Sequence, residues 1–225
     1  MSDEIHHLTI ARGSSLIRAG ALSTVAWTEH LLARIAALDP VLDAFVRVTG
    51  EGALAQARAA EDEIARGAYR GPLHGVPYAA KDIYDTGGIA TTGGSRVCQF
   101  RVPERDATVV ARLRAAGAVV LARTNVPEAS AGFESDNPVY GRTNNPYDLS
   151  RTPAGSSGGE AALIASGGSP LGLGSDAGGS IRMPCHFCGI AGIKPTSGRV
   201  PRTGHWPSLN GLYDSLTQIG PMSRS

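Results

Sequence analysis

Residues 106–122 read Asp-Ala-Thr-Val-Val-Ala-Arg-Leu-Arg-Ala-Ala-Gly-Ala-Val-Val-Leu-Ala. Asp106 opens a helix that carries Val109, Val110 and Leu113, Gly117 ends it, and Ala118 to Ala122 forms a short apolar strand. A strand that is apolar at every position has no solvent face, so helices must cover both sides of its sheet. Val76 to Ala80 has the same character and leads directly into Lys81. Helix, glycine, short β-branched strand is the rhythm of an α/β fold with a largely buried sheet.

Outward from that segment, the chain before residue 70 is helical in pattern. Ser23 or Thr24 can cap a helix with Leu31, Ile35 and Leu38 on one side, and Pro40 is expected to stop it. Residues 51–66 are alanine-rich with Leu54, Ala57 and Ile64 on one side, and Gly67 suits the residue just past the helix end. No repeat, linker or low-complexity tract interrupts the pattern. The expectation is one domain over 1–225, with a helical lead-in over about 1–70 and an α/β part from about 71.

The chain has 225 residues, 21 basic and 20 acidic, for a net charge of +1. That balance argues against direct nucleic-acid binding or a membrane-surface protein, both of which usually show a basic excess. No apolar run approaches the ~18 residues a membrane span requires. Met-Ser-Asp-Glu-Ile-His-His at the start lacks the basic and apolar regions of a secretory signal. Three cysteines do not make a disulfide framework, so a reduced, cytoplasmic protein is expected. Of the 21 cationic residues only Lys81 and Lys194 are lysines.

Glycine, 29 residues in all, is concentrated between 150 and 192. Glycine stands beside serine at 155–159 and again at 178–180, which suggests backbone brought close to a substrate, with N–H groups free to hold an oxyanion. The competing account is a pair of flexible surface loops, but apolar Ala161–Ala165 and Leu171–Leu173 between them imply burial. Gly155-Ser156-Ser157-Gly158-Gly159 fits the nucleophile-elbow pattern G-x-S-x-G, yet the turn-forming Asn144-Asn145-Pro146-Tyr147-Asp148 stands where a strand should lead in. Gly172 to Ala177 fits G-x-G-x-x-A, but Gly178, Gly179 and Pro184 follow where a dinucleotide-binding helix should run. No P-loop motif exists.

Taken together, Lys81-Asp82 after an apolar strand, Ala-Gly-Ser-Ser-Gly-Gly-Glu at 154–160 and Gly-Ser-Asp-Ala-Gly-Gly-Ser-Ile-Arg-Met-Pro at 174–184 resemble the amidase signature family. Phe187-Cys188-Gly189-Ile190 and Gly192-Ile193-Lys194-Pro195-Thr196 fit as well, and the resemblance runs from about the first helix to the last residue. It implies an α/β amidase-signature fold with a central mixed β-sheet flanked by helices. It also implies amide hydrolysis, without metal or cofactor, by a Ser–cis-Ser–Lys triad. Carried over by motif, Ser180 is the nucleophile, Ser156 the bridging serine after a cis peptide, and Lys81 the base. Backbone N–H groups of Ala177, Gly178, Gly179 and Ser180 would form the oxyanion hole, and Ser130 would line the substrate site. Ser157, Asp176 and Arg182 would support the loops.

The chemistry agrees with that assignment. A serine hydroxyl is a weak nucleophile until a base takes its proton. None of the six histidines lies in the glycine-rich loops. Lysine serves as base only where burial lowers its pKa, and arginine never does. A lysine within Pro77-Tyr78-Ala79-Ala80-Lys81 meets that condition, whereas Lys194, before Pro195, reads as exposed or ion-paired. Cys185 and Cys188 form a C-x-x-C, but no second ligand pair stands at zinc spacing, and packing behind the nucleophile loop is the better account.

Three functions follow from the resemblance. First is an amidase acting on a small-molecule amide, fatty-acid-amide-hydrolase-like on the strength of Glu160 and Ser-Pro-Leu-Gly-Leu-Gly, with a homodimer left open. Second is the amidotransferase component that supplies ammonia for tRNA-dependent transamidation, which would need partner subunits. Third is an inactive remnant, because family members are considerably longer and the chain halts at Gly220-Pro221-Met222-Ser223-Arg224-Ser225 as if truncated at the C-terminus.

Overall fold

A computed structural model describes residues 5–207 and 215–225. Met1 to Glu4, part of the stretch read above for a secretory signal, lie outside the described residues. Two helices open the chain, α1 (Ile10–Arg18) and α2 (Thr24–Leu42), each started by a hydroxyl. Thr9 accepts the Arg12 N–H, and Ser23 rather than Thr24 accepts the Ala26 N–H. Pro40 does not stop α2. The helix runs two residues past it and closes at Asp43, left-handed at φ 48, whose N–H reaches the Asp39 carbonyl.

A strand, β1 (Phe45–Val48), then interrupts the stretch expected to be helical throughout. Its Phe-Val-Arg-Val pattern is β-branched and aromatic, a strand signal overshadowed by the helices on both sides. Helix α3 (Gly50–Ala65) follows and buries Ala53, Ala57 and Ala60, and Gly67 is left-handed just beyond it. Next come β2 (Pro77–Lys81), α4 (Thr108–Ala115) and β3 (Val119–Thr124). The α4 helix begins two residues after Asp106, whose carboxylate instead accepts Gly87 N–H and pairs with Arg114, both at 2.8 Å.

A short hairpin, β4 (Asp136–Asn137) and β5 (Gly141–Arg142), precedes α5 (Gly158–Ala165) and β6 (Leu171–Asp176). The described chain ends with α6 (Arg182–Cys188), β7 (Ala191–Gly192) and β8 (Gln218–Ser223).

Six strands form one mixed sheet in the order β1-β3-β2-β6-β8-β7. The central strands β3, β2 and β6 are parallel, and β1, β8 and β7 add antiparallel edges. Alternation along the buried strands sorts their side chains between two cores. Val119, Leu121 and Ala79 join Trp27, Leu31, Ile35, Ala57 and Leu163 from α2, α3 and α5. Val120, Tyr78 and Ala80 join Val109 and Val110 of α4 with Ile219 of β8. Among the described residues, no helix is long and apolar enough to cross a membrane.

This topology fixes where a site can form. From β2 the chain passes through α4 to β3, then doubles back through α5 to β6 on the other side of β2. In open parallel sheets the crevice for ligands opens at the carboxyl ends of strands flanking such a reversal. Lys81 ends β2 and Asp176 ends β6.

Candidate active site

Lys81 is fully buried at the end of β2, and its Nζ lies 2.6 Å from Ser156 Oγ and 3.1 Å from Ser175 Oγ. Burial pulls its pKa down to about 7, against an upward pull from Glu160 and Asp176. Near neutral pH a large fraction of the amine is therefore uncharged and able to accept a proton. Among the described residues no carboxylate lies within ion-pairing distance of Nζ, which is what leaves desolvation in control.

Ser156 follows the Gly155–Ser156 peptide, which is cis as expected. The next residue, Ser157, ties that loop to β6 and to the loop after it. Its Oγ donates to the Ser175 carbonyl and accepts the Ser175 N–H, both at 3.3 Å, and its N–H reaches the Ser180 carbonyl at 3.2 Å. Ser156 and Ser180 are themselves buried. Among the described residues no hydrogen bond directly joins their hydroxyls; Ser157 is the link between their segments.

Asp176 organises the loop that carries Ser180. Its carboxylate accepts the N–H groups of Gly179 at 2.8 Å, Ile181 at 3.1 Å and Arg182 at 3.3 Å. Arg182 closes on it with Nε and Nη2, each at 3.0 Å. Burial works to raise the Asp176 pKa, but Arg182 and these backbone donors outweigh it and hold the carboxyl well below the usual range.

One expectation needs correcting here. Gly179 donates its N–H to Asp176, so it is not a free oxyanion donor, whereas the N–H groups of Ala177, Gly178 and Ser180 have no protein acceptor among the described residues.

The glycines divide in a way that motif reading missed. A Cβ on Gly159 would sit 2.5 Å from Asn125 N and 2.9 Å from the Ala44 carbonyl oxygen, and one on Gly158 would sit 2.4 Å from Ser135 Oγ. These glycines let α5 pack against protein rather than against a substrate. Only Gly178 matches the open-backbone expectation, with nothing nearer its Cβ position than Phe133 at 4.0 Å.

Ser130 lies in a short turn at Glu128–Ser130 with φ 57, and its buried Oγ has no hydrogen-bond partner. No hydrogen bond joins it to Lys81, Ser156 or Ser180. Cys185 and Cys188 pack with Ala161, Ile164, Ile181 and Met222 behind the Ser180 loop, where burial pushes their thiols up to about 11 and about 12.

Four residues near the site carried no catalytic role in the sequence reading. Ser175 is the second partner of Lys81, and its place inside the 174–184 motif was the available signal. Tyr84 donates from its hydroxyl to the Gly174 carbonyl at 2.7 Å. His205, edge-on to Tyr84, is pushed down to about 4 by burial and by the Lys81 charge, so it is a neutral imidazole. Lys194 is ion-paired as expected, to Asp176 at 3.4 Å, but that places it on the Ser180 loop. Behind Lys81, Asp82 accepts from Thr92 N–H and Oγ1, and fully buried Arg123 binds the Tyr84 carbonyl and Thr86, fixing the loop that follows β2.

The family model described as Amidase matches residues 26–225. The chain belongs to the amidase signature family. The A component of glutamyl-tRNA(Gln) amidotransferase from Chloroflexus aurantiacus is 47% identical over 220 residues, covering 98% of this chain and 44% of that protein. The same component from Streptomyces coelicolor is 47% identical over 225 residues, covering 100% of this chain and 44% of its own length.

Among solved structures, a fatty acid amide hydrolase superposes with a TM-score of 0.95 at 31% identity, covering 100% of this chain and 40% of that one. The peptide amidase of Stenotrophomonas maltophilia gives 0.90 at 37%, covering 96% and 45%. This amidase-signature chain thus spans under half the length of the relatives it matches. Its sequence identity is higher to the amidotransferase proteins than to fatty acid amide hydrolase, the reverse of the ranking drawn from Glu160 and Ser-Pro-Leu-Gly-Leu-Gly.

Proposed function

We propose that the chain carries the catalytic apparatus for hydrolysing a carboxylic amide through an acyl-enzyme on Ser180. The observation that carries this reading is Lys81: a fully buried amine, drawn down to about 7, at 2.6 Å from the hydroxyl of Ser156. Neutral Lys81 takes the Ser156 proton while Ser156 takes the proton of Ser180, and the Ser180 oxygen bonds to the amide carbon. The carbonyl oxygen becomes an oxyanion facing the N–H groups of Ala177, Gly178 and Ser180. The relay then runs in reverse, Ser156 delivers its proton to the departing amine, and the C–N bond breaks. Water, deprotonated through the same relay, releases the carboxylate and restores Ser180. Every group named belongs to the chain, and three free thiols suit a reduced, cytoplasmic setting.

A second reading is favoured by the 47% identity to the amidotransferase proteins. There the same hydrolysis yields ammonia for transamidation of a misacylated tRNA on partner subunits. Hydroxylamine trapping tests the shared chemistry: amide plus hydroxylamine should give acyl hydroxamate with the wild-type chain and none with Ser180→Ala. Hydroxamate formation undiminished by that substitution contradicts the acyl-enzyme. Copurification in a stable heteromeric complex decides for the second reading over a free-standing amidase.

A further inference from the structure

We infer that Lys194 is a positioning residue of the oxyanion site, an inference that rests on the amidase reading above. Its Nζ donates to the Ala177 carbonyl at 2.8 Å and lies 3.4 Å from Asp176 Oδ1. The Ala177–Gly178 peptide is trans, so its carbonyl and the Gly178 N–H point in opposite directions. A lysine that fastens the carbonyl on one side therefore aims the Gly178 N–H to the other. The Gly178 N–H has no protein acceptor among the described residues, and a Cβ on Gly178 would meet nothing nearer than Phe133 at 4.0 Å.

The same peptide thus has its acceptor end held and its donor end unspent. The ammonium also polarises the peptide in the sense that strengthens the N–H as a donor to a developing negative charge. Asp176 supplies the counter-charge that keeps Nζ in place while holding the Gly179, Ile181 and Arg182 N–H groups on its own side of the loop. Together the two residues divide the loop's donors: those bound to Asp176 shape it, and Gly178 is left, with Ala177 and Ser180, for the oxyanion.

The test uses an acyl p-nitroanilide as substrate and a trifluoromethyl ketone, to which Ser180 adds to give a tetrahedral oxyanion. Lys194→Met should lower kcat and the ketone's affinity by a common factor of about 10². KM, the thermal midpoint and the midpoint of the pH–rate profile should stay where they are, and Lys194→Arg should restore most of the loss. An unchanged ketone affinity in Lys194→Met overturns the inference, and so does a loss that falls on KM and thermal stability alone. Should the wild-type chain neither bind the ketone nor cleave the anilide, the amidase reading fails, and Lys194 is judged without activity. In the ligand-free chain the Ala177 carbonyl carbon resonance should move upfield in Lys194→Met and hold in Lys194→Arg; no movement in Lys194→Met overturns the inference.

Discussion

At the scale of single residues, the account turns on one lysine with two states. Folded, Lys81 titrates at about 7; in an unfolded chain it would titrate near ~10.4. Between those values the unfolded chain holds a proton that the folded chain has released, so this group makes the free energy of unfolding rise with pH. The slope is at most about 1.4 kcal/mol per pH unit. Below about 7 both states are protonated, and the folded chain bears the full cost of a buried charge.

Lys81→Met should therefore be more stable than wild type at acid pH, by a margin that narrows above about 7, while kcat/KM falls by roughly 10²–10⁴. Chemical denaturation of both proteins across the pH range reads this. Glu160, raised to about 8 mainly by burial, makes stability fall with pH between its unfolded and folded values, and because the Lys81 charge lowers it, Glu160 moves up further in Lys81→Met. A margin independent of pH would contradict the depressed pKa.

At the scale of elements, position and packing decide what motif reading cannot. The short runs 76–80 and 118–122 were legible as buried strands because each is a brief apolar run that starts directly after a glycine, Gly75 or Gly117. Strand β1 was not, since four residues between two long helices give periodicity too little length to register. Pro40 misled because a proline need not end a helix at its own position: α2 runs on through Val41 and Leu42 before it closes at Asp43. The glycines at 158 and 159 show the same limit. Their number announced close approach, but only the packing of α5 shows that the protein itself is what approaches. Gly159→Ala should accordingly lower stability by about 1–3 kcal/mol, measured by thermal melt, with residual folded protein still labelled at Ser180 by a fluorophosphonate. A neutral effect on stability would mean that α5 can retreat from Asn125 without cost.

At the scale of the whole molecule, the sheet order does what no local motif states. Lys81 and Ser175, just ahead of the Ser180 loop, are far apart in sequence, and they meet because the chain reverses direction across β2, leaving β2 and β6 side by side with their carboxyl ends together. The α/β class and the members of the candidate triad could be named from the sequence, since each sits in a dense motif. What was not legible is the division of labour among backbone donors in the Ser180 loop. Asp176 takes the Gly179 N–H through a local turn, and Lys194 reaches the Ala177 carbonyl from the segment beyond α6, a contact that no motif spacing states. Large apolar side chains also stand exposed, among them Val97, Phe100 and Ile193, and the hollow beside β6 and β8 is lined by Leu73, Leu113, Val200 and Ile219.

The most direct test of the central claim, Ser180 activated by a neutral buried Lys81, is the rate and site of fluorophosphonate labelling as a function of pH, read by peptide mass spectrometry. The account predicts a single adduct on Ser180 whose rate of formation climbs through a midpoint near 7 and collapses in Lys81→Met. Labelling that persists in Ser180→Ala, or a rate indifferent to both pH and Lys81, would contradict it.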